Sequence, residues 1–183
     1  MEKDEKDKLF LIGYMGTGKT TLGKLLAEKL NWTFIDIDWF IENRYRQTIP
    51  VIFEEKGEAG FREMERRALH EISGFENVVV STGGGLPCFF DNMDLMNQVG
   101  ITIYLKASAN DLLVRLNSGK KKRPLIKGKK PEELREFIEM NLKQREQFYS
   151  QAKFSIDVPY CPSKKEMYQW VEELSIKISA FFE

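Results

Sequence analysis

The sequence predicts an α/β protein, a three-layer α/β/α sandwich built around a five-stranded parallel sheet. Three observations carry that prediction. Short apolar runs recur along the chain and are stopped by glycines or acids. Between them lie stretches with apolar residues at helical spacing, so successive strands are joined by crossovers rather than hairpins. The length of 183 residues suits one domain over 1–183. Right-handed βαβ crossovers then give a parallel sheet covered on both faces.

Residues 1–7 are nearly all charged and are expected to fray. Leu9-Phe10-Leu11-Ile12, stopped by Gly13, reads as a buried strand. Leu22, Leu25, Leu26 and Leu30 mark a helix, and Trp32-Thr33-Phe34-Ile35 a second strand ending at Asp36 and Asp38. Helical stretches are expected over about 39–46 and 51–56, with Gly57 and Gly60 breaking the second before a charged helix from Phe61 to Ile72. Val78-Val79-Val80 is a third strand and Ile101 to Leu105 a fourth. A helix over about 110–116 leads into the glycine-, lysine- and proline-bearing stretch 119–130. Pro131 suits the first residue of a long helix, with Glu132 and Glu133 in its opening turn, running to about Gln151. Phe154 to Val158 is a weaker fifth strand, and Ser163 is expected to cap a final amphipathic helix.

Composition excludes several classes of function. An apolar fraction of 42% with 12% aromatics supplies a continuous core and rules out a disordered chain. Lys and Arg number 28, as do Asp and Glu, a balance that argues against a nucleic-acid partner. Cys88 and Cys161 show no CxxC spacing and His70 is the single histidine, so neither a disulfide framework nor a zinc cluster is expected. The opening MEKDEKDK turns apolar only at Leu9 and is interrupted at Gly13. That is short of the ~7–15 apolar residues of a signal peptide and the ~20 of a membrane span. A monomeric, cytoplasmic chain with no membrane partner is the expectation.

Chemistry enters with Gly13-Tyr14-Met15-Gly16-Thr17-Gly18-Lys19-Thr20, which fits G-x-x-x-x-G-K-[ST] at every fixed position. An apolar strand precedes it and an amphipathic helix follows. Glycines let such a loop turn its N–H groups inward, and the helix N-terminus adds positive potential. Lys19 can reach the β- and γ-phosphates of a nucleotide, and the Thr20 hydroxyl can ligand Mg²⁺. This is a nucleotide site.

No acid follows the third strand, where GTPases and motor ATPases hold magnesium. The carboxylates stand after the second strand, as Asp36 and Asp38. Alternation in an extended segment would put both on one side. One could order magnesium-bound water and the other accept a proton from an attacking hydroxyl. The competing reading of Asp38 is a helix cap. Gly83-Gly84-Gly85 at a strand end gives nothing to a core and would let a ligand press on the backbone; a flexible loop is the alternative.

Seven cations fall between Lys120 and Lys130 with no acid among them. The stretch reads as a mobile lid over about 118–130 that closes positive charge on ATP, with Arg123-Pro124 its fixed point; a solvated loop and a nucleic-acid contact are the competing readings. On the long helix Leu134, Ile138, Leu142 and Tyr149 mark the inward face, and Arg145 falls in that stripe. An arginine there needs either a buried ion pair or an anionic ligand. Arg62, just after Gly60-Phe61, is an odd cation at a helix start unless a ligand carboxylate lies nearby.

Together these residues resemble the shikimate kinases. The resemblance rests on Gly13–Thr20 with Met15, on Asp36-Ile37-Asp38 followed by Ile41-Glu42, and on Ile52-Phe53 with Gly57-Glu58-x-x-Phe61-Arg62-x-x-Glu65. It continues in Thr82-Gly83-Gly84-Gly85, Arg123-Pro124-Leu125 and Arg145-x-x-x-Tyr149-x-x-Ala152, from residue 9 to about 158. The resemblance implies a P-loop kinase fold of the nucleoside-monophosphate-kinase type and transfer of the ATP γ-phosphate to the 3-hydroxyl of shikimate. It implies that Gly16, Thr17, Gly18, Lys19, Thr20 and Thr21 hold ATP, with Arg115 at the adenine and Arg123 descending on the phosphates. Lys19, Asp38 and Arg123 would be catalytic, Asp38 as base. Thr20 and Asp36 would serve magnesium. Arg62 and Arg145 would clamp the substrate carboxylate, and Gly83, Gly84 and Gly85 would meet its ring, within a substrate-binding region over about 36–62. The helix after Ser163 matches no motif.

Overall fold

A computed structural model describes residues 7–118, 130–159 and 163–179. Five parallel strands form the sheet: β1 (Lys8–Ile12), β2 (Thr33–Asp36), β3 (Val78–Ser81), β4 (Ile101–Lys106) and β5 (Phe154–Asp157). Their order is β2-β3-β1-β4-β5. Seven α-helices accompany them among the described residues: α1 (Lys19–Leu30), α2 (Ile37–Tyr45), α3 (Ile49–Ile72), α4 (Asn92–Val99), α5 (Ala109–Ser118), α6 (Pro131–Tyr149) and α7 (Lys164–Ser179). None of them is long and apolar enough to cross a membrane.

Strand periodicity sorts the core into two layers. Leu9, Leu11, Val79, Ile103 and Leu105 pack with Leu22 and Leu26 of α1 and with Val171, Leu174 and Ile178 of α7. Phe10, Ile12, Val78, Val80 and Tyr104 face Ile37 and Ile41 of α2, Leu69 and Ile72 of α3, Met96 of α4 and Ile138 of α6. The helix after Ser163 therefore completes one face of the sandwich beside α1, tied by a Lys29–Glu172 ion pair at 2.7 Å. Its start follows expectation: Ser163 and Glu166 exchange hydrogen bonds as a capping box.

Several boundaries depart from the sequence reading. The chain turns helical at Ile37, so Asp38 is the second residue of α2 and the two acids do not share one side of an extended segment. Gly57 breaks α3 with φ 67° and ψ −177°, whereas Gly60 stays helical. The kink brings Phe53 and Phe61 to a ring separation of 4.6 Å across it. Glu42 of α2 accepts from the Ile49 N–H at 2.9 Å, supplying the cap that α3's own Thr48 does not. Residues 86–99, given no element from sequence, form the 3₁₀ turn Leu86–Cys88 and α4.

The topology fixes where a ligand can sit. β1 leads into α1 on one face, while its neighbour β3 leads into α4 on the other. Such a divergence opens a crevice beyond the carboxyl ends of the two strands. Asp36 lies level with Ser81 and Leu11 with Ser81 in the sheet register, so all three segments after β1, β2 and β3 meet there.

Candidate active site

The loop from Gly13 to Thr20 takes positive φ at each of its glycines, Gly13, Gly16 and Gly18. At Gly13 space adds a second demand, since a Cβ there would come 2.6 Å from the Leu105 carbonyl oxygen. Gly18 precedes α1 without a side-chain cap, leaving the first helical N–H groups for an anion. Lys19 bends across the loop, its Nζ donating to the Gly13 and Tyr14 carbonyls at 2.8 and 2.9 Å. Gly16, Gly18, Lys19, Thr20 and Thr21 line the cleft above. Thr17 turns the other way: its hydroxyl donates to the Tyr14 carbonyl at 2.9 Å and is buried, so only its backbone is left for a ligand.

Asp36 performs two tasks. Its Oδ1 accepts from the N–H groups of Asp38 and Trp39, making Asp36, not Asp38, the cap of α2. Its Oδ2 accepts from the Thr20 hydroxyl at 2.8 Å. A hydroxyl and a carboxylate joined beside a phosphate loop are hard oxygen donors of the kind Mg²⁺ takes along with water and phosphate. Among the described residues no cluster of three His, Cys, Asp or Glu side chains could cage a metal alone. Thr20 and Asp36 thus fit an ion that arrives with a nucleotide.

Freed from capping, Asp38 faces the cleft. Burial, with Asp36 adding repulsion, pushes its carboxyl up to about 6, while Lys19 pulls against that rise. Across from it stands Glu65, 1% exposed, a residue of the Gly57–Glu65 motif to which the sequence assigns no role. Burial pushes Glu65 up to about 7 even though Arg62 opposes it.

Gly83 and Gly85 explain themselves once these side chains are placed. A Cβ on Gly83 would lie 2.9 Å from Glu65 Oε1 and 3.1 Å from Asp38 Oδ1. One on Gly84 would lie 3.4 Å from Arg145 Nη1, and one on Gly85 2.7 Å from Arg62 Nη1. Gly83 and Gly85 are bare because the site's own side chains close on them, whereas Gly84 is only in ordinary contact with Arg145.

Arg62 and Arg115 are each held by several contacts. Arg62 Nη1 meets Glu65 Oε2 at 2.7 Å and Nη2 meets Glu58 Oε1 at 2.9 Å, while the Phe89 ring lies 4.3 Å from its Cζ. These acids offset the cation that looked misplaced in the sequence. Arg145 lies over the Tyr14 ring at 5.3 Å, and no carboxylate comes within ion-pair range of it among the described residues. The buried ion pair, one of its two expected partners, is therefore absent among the described residues. Arg115 reaches back from α5 to the Gly16 and Thr17 carbonyls at 3.4 Å and to Pro159 O at 2.8 Å. It lines the cleft. Arg123 and the segment 119–129 lie outside the described residues, and with them the lid expected over about 118–130.

The whole forms an open cleft of about 860 Å³. At one end is the phosphate loop. At the other, Asp38, Arg62 and Arg145 converge under an apolar wall of Ile49, Phe53 and Phe61. Such a site can take a polyanion at the loop and a small hydroxylated acid beside it.

Comparison with known proteins agrees. The family model described as Shikimate kinase matches residues 15–175. A curated shikimate kinase of Bacteroides thetaiotaomicron is 54% identical over 147 residues, covering 80% of this chain and 84% of its own. The crystal structure of shikimate kinase from Bacteroides thetaiotaomicron superposes with TM-score 0.91 at 47% identity, over 94% of this chain and 98% of that one. A shikimate kinase from Acinetobacter baumannii in complex with shikimate gives TM-score 0.79 at 34% identity, over 94% of both chains. A gluconokinase from Sinorhizobium meliloti, 14% identical with TM-score 0.60, is similar in fold alone.

Proposed function

The chain belongs to the shikimate kinase family, and on that premise we propose how its residues divide the work. The enzyme is a phosphotransferase that uses ATP and shikimate, giving shikimate 3-phosphate and ADP. The observation that carries the residue assignment is the meeting of Asp38, Arg62 and Arg145 on three successive glycines, next to a phosphate loop.

Arg62 and Arg145 hold the substrate carboxylate, a planar anion to which guanidinium is matched. That anchoring turns the ring so that its 3-hydroxyl lies at Asp38. The hydroxyl oxygen bonds to the γ-phosphorus as the bond to the β,γ-bridging oxygen breaks, and ADP leaves with that electron pair. Asp38 Oδ accepts the hydroxyl proton. Lys19, already spanning the loop, moves its ammonium from two carbonyls to phosphate oxygens. Thr20 and Asp36 would hold Mg²⁺, which when bound neutralises phosphate charge. Gly16, Gly18 and Thr21, with the Thr17 backbone, cradle the phosphates, and Arg115 borders the nucleoside. By the family resemblance, Arg123 would add a further positive charge at the phosphates.

We further propose one domain over 1–183 with its substrate-binding region at about 36–62, acting as a cytoplasmic monomer. A solution mass near 21.4 kDa by light scattering is the expected result, and twice that mass would overturn the monomer.

The test is ADP release with shikimate, quinate, gluconate and AMP offered separately. Turnover confined to shikimate is expected; gluconate or AMP as the better acceptor would sink the assignment. A sharper check is Gly85→Ala. The added methyl must displace the Arg62 guanidinium, which two ion pairs and Phe89 restrain. KM for shikimate is expected to rise roughly 10–100-fold with KM for ATP unchanged, since small misplacements of an orienting group cost that much. An unaltered shikimate KM would remove Arg62 from the clamp.

A further inference from the structure

Tyr149 ends the inward-facing apolar stripe of α6, yet the roles proposed above leave it unused. It is wholly buried. Its hydroxyl donates to the Gly84 carbonyl at 2.5 Å, joining α6 to the glycine triplet 65 residues away in sequence. The ring stacks on Tyr104 of β4 at 5.1 Å, and the Tyr104 hydroxyl in turn donates to Glu146 Oε2 at 2.8 Å. Arg145 is one helical turn before Tyr149, so both project from the same face of α6. Burial raises the Tyr149 phenol well above its ordinary range, with the nearby Arg145 charge pulling against it, so the hydroxyl stays a donor at any working pH.

Two consequences follow from that one hydrogen bond. First, a trans peptide is planar and its C=O and N–H point opposite ways. Fixing the Gly84 carbonyl on Tyr149 fixes the Gly84–Gly85 plane and turns the Gly85 N–H away from α6. Second, the bond sets how far the Arg145 turn of α6 stands from Gly84, where Arg145 Nη1 is 3.4 Å from the Cβ position.

We propose that Tyr149 is a positioning residue for the acid substrate, its hydroxyl aligning Arg145 and the Gly84–Gly85 peptide in a single contact. The proposal rests on the reading of Arg145 as part of the carboxylate clamp. Tyr149 itself touches neither substrate nor nucleotide.

The experiment is Tyr149→Phe in the full chain, which keeps the ring and removes only the donor. KM for shikimate is expected to rise about tenfold, equivalent to about 1.4 kcal/mol, with KM for ATP unchanged. In an Arg145→Ala background the same change should add less than twofold, because the group it positions is gone. Tyr104→Phe is the control: it loosens α6 through Glu146 without touching Gly84, and shikimate KM should hold. The proposal is overturned by an unchanged shikimate KM in Tyr149→Phe, by a full tenfold rise on top of Arg145→Ala, or by an equal rise in Tyr104→Phe. Should the unmodified enzyme fail to phosphorylate shikimate at all, the functional assignment fails first, and the two failures are distinct. Shikimate binding to Tyr149→Phe and to the unmodified enzyme by calorimetry gives the same answer without turnover, a tenfold weaker Kd supporting the proposal and equal Kd values refuting it.

Discussion

Asp38→Asn is expected to lower kcat by about a thousandfold while leaving KM for ATP within a factor of two, and to make the protein more stable. A positioned base contributes on the order of 10²–10⁴ to rate. Asparagine keeps the shape and the hydrogen-bonding reach to a hydroxyl but cannot take its proton. The nucleotide end of the cleft rests on Lys19, Thr20 and the loop backbone, none of which the substitution touches. The carboxyl of Asp38 stands at about 6 rather than 3.8, so kcat/KM for shikimate should climb as pH rises through about 6 and level off above it. The stability effect has the opposite sense. A carboxyl whose folded pKa is raised destabilises the fold when ionised, fully above about 6 and not at all well below 3.8. A rise of that size corresponds to on the order of 3 kcal/mol at pH 8. Tm of Asp38→Asn should therefore exceed that of the unmodified enzyme at pH 8, and the gap should close as pH falls toward 4. Retained turnover would remove Asp38 as base; a Tm gap that widens in acid would refute the buried-charge account.

How much of this is legible in the sequence depends on how local each feature is. The phosphate loop was legible because its eight residues are contiguous and its glycines answer to backbone conformation alone. The strands were legible from apolar runs that a buried sheet demands. Asp36 and Asp38 were legible as chemistry but not as geometry: alternation assumed the strand continues, and Asp36 ends it by capping α2 with its own side chain. Gly57 and Gly60 look alike in sequence, yet only Gly57 leaves the helix, while Gly60 stays in the turn that carries the buried Phe61 and Met64. The helix α4 has only eight residues, about two turns, although four of them (Met93, Leu95, Met96 and Val99) are apolar. So short a helix owes its existence to tertiary packing and leaves little periodic signal. Arg145 was visible as a cation in an apolar stripe. Glu65 was not, for it sits among other charges on α3, and only the fold brings Gly83 against it.

Arg62→Ala should have two effects that a second substitution can separate. The first is on substrate. Losing one arm of a charged bidentate clamp costs roughly 2–5 kcal/mol, so KM for shikimate is expected to rise about 100-fold or more, with ATP unaffected. The second is on the fold. Glu65 is 1% exposed, and Arg62 at 2.7 Å is the opposing charge that holds its carboxyl down near 7. Without the guanidinium, Glu65 must either stay ionised and uncompensated or take up a proton at neutral pH. Breaking such a buried pair costs about 3–5 kcal/mol, which for a chain of this size lowers Tm by roughly 6 °C or more. The loss should be larger at pH 8 than at pH 6, because a neutral Glu65 no longer needs the partner. Glu65→Gln added to Arg62→Ala removes the stranded charge, so Tm should recover while the shikimate KM stays high. Recovery of both would mean that Arg62 serves the fold alone and that the substrate carboxylate is held elsewhere; recovery of neither would mean that its contacts with Glu58 and Phe89, not the buried charge of Glu65, bear the stability.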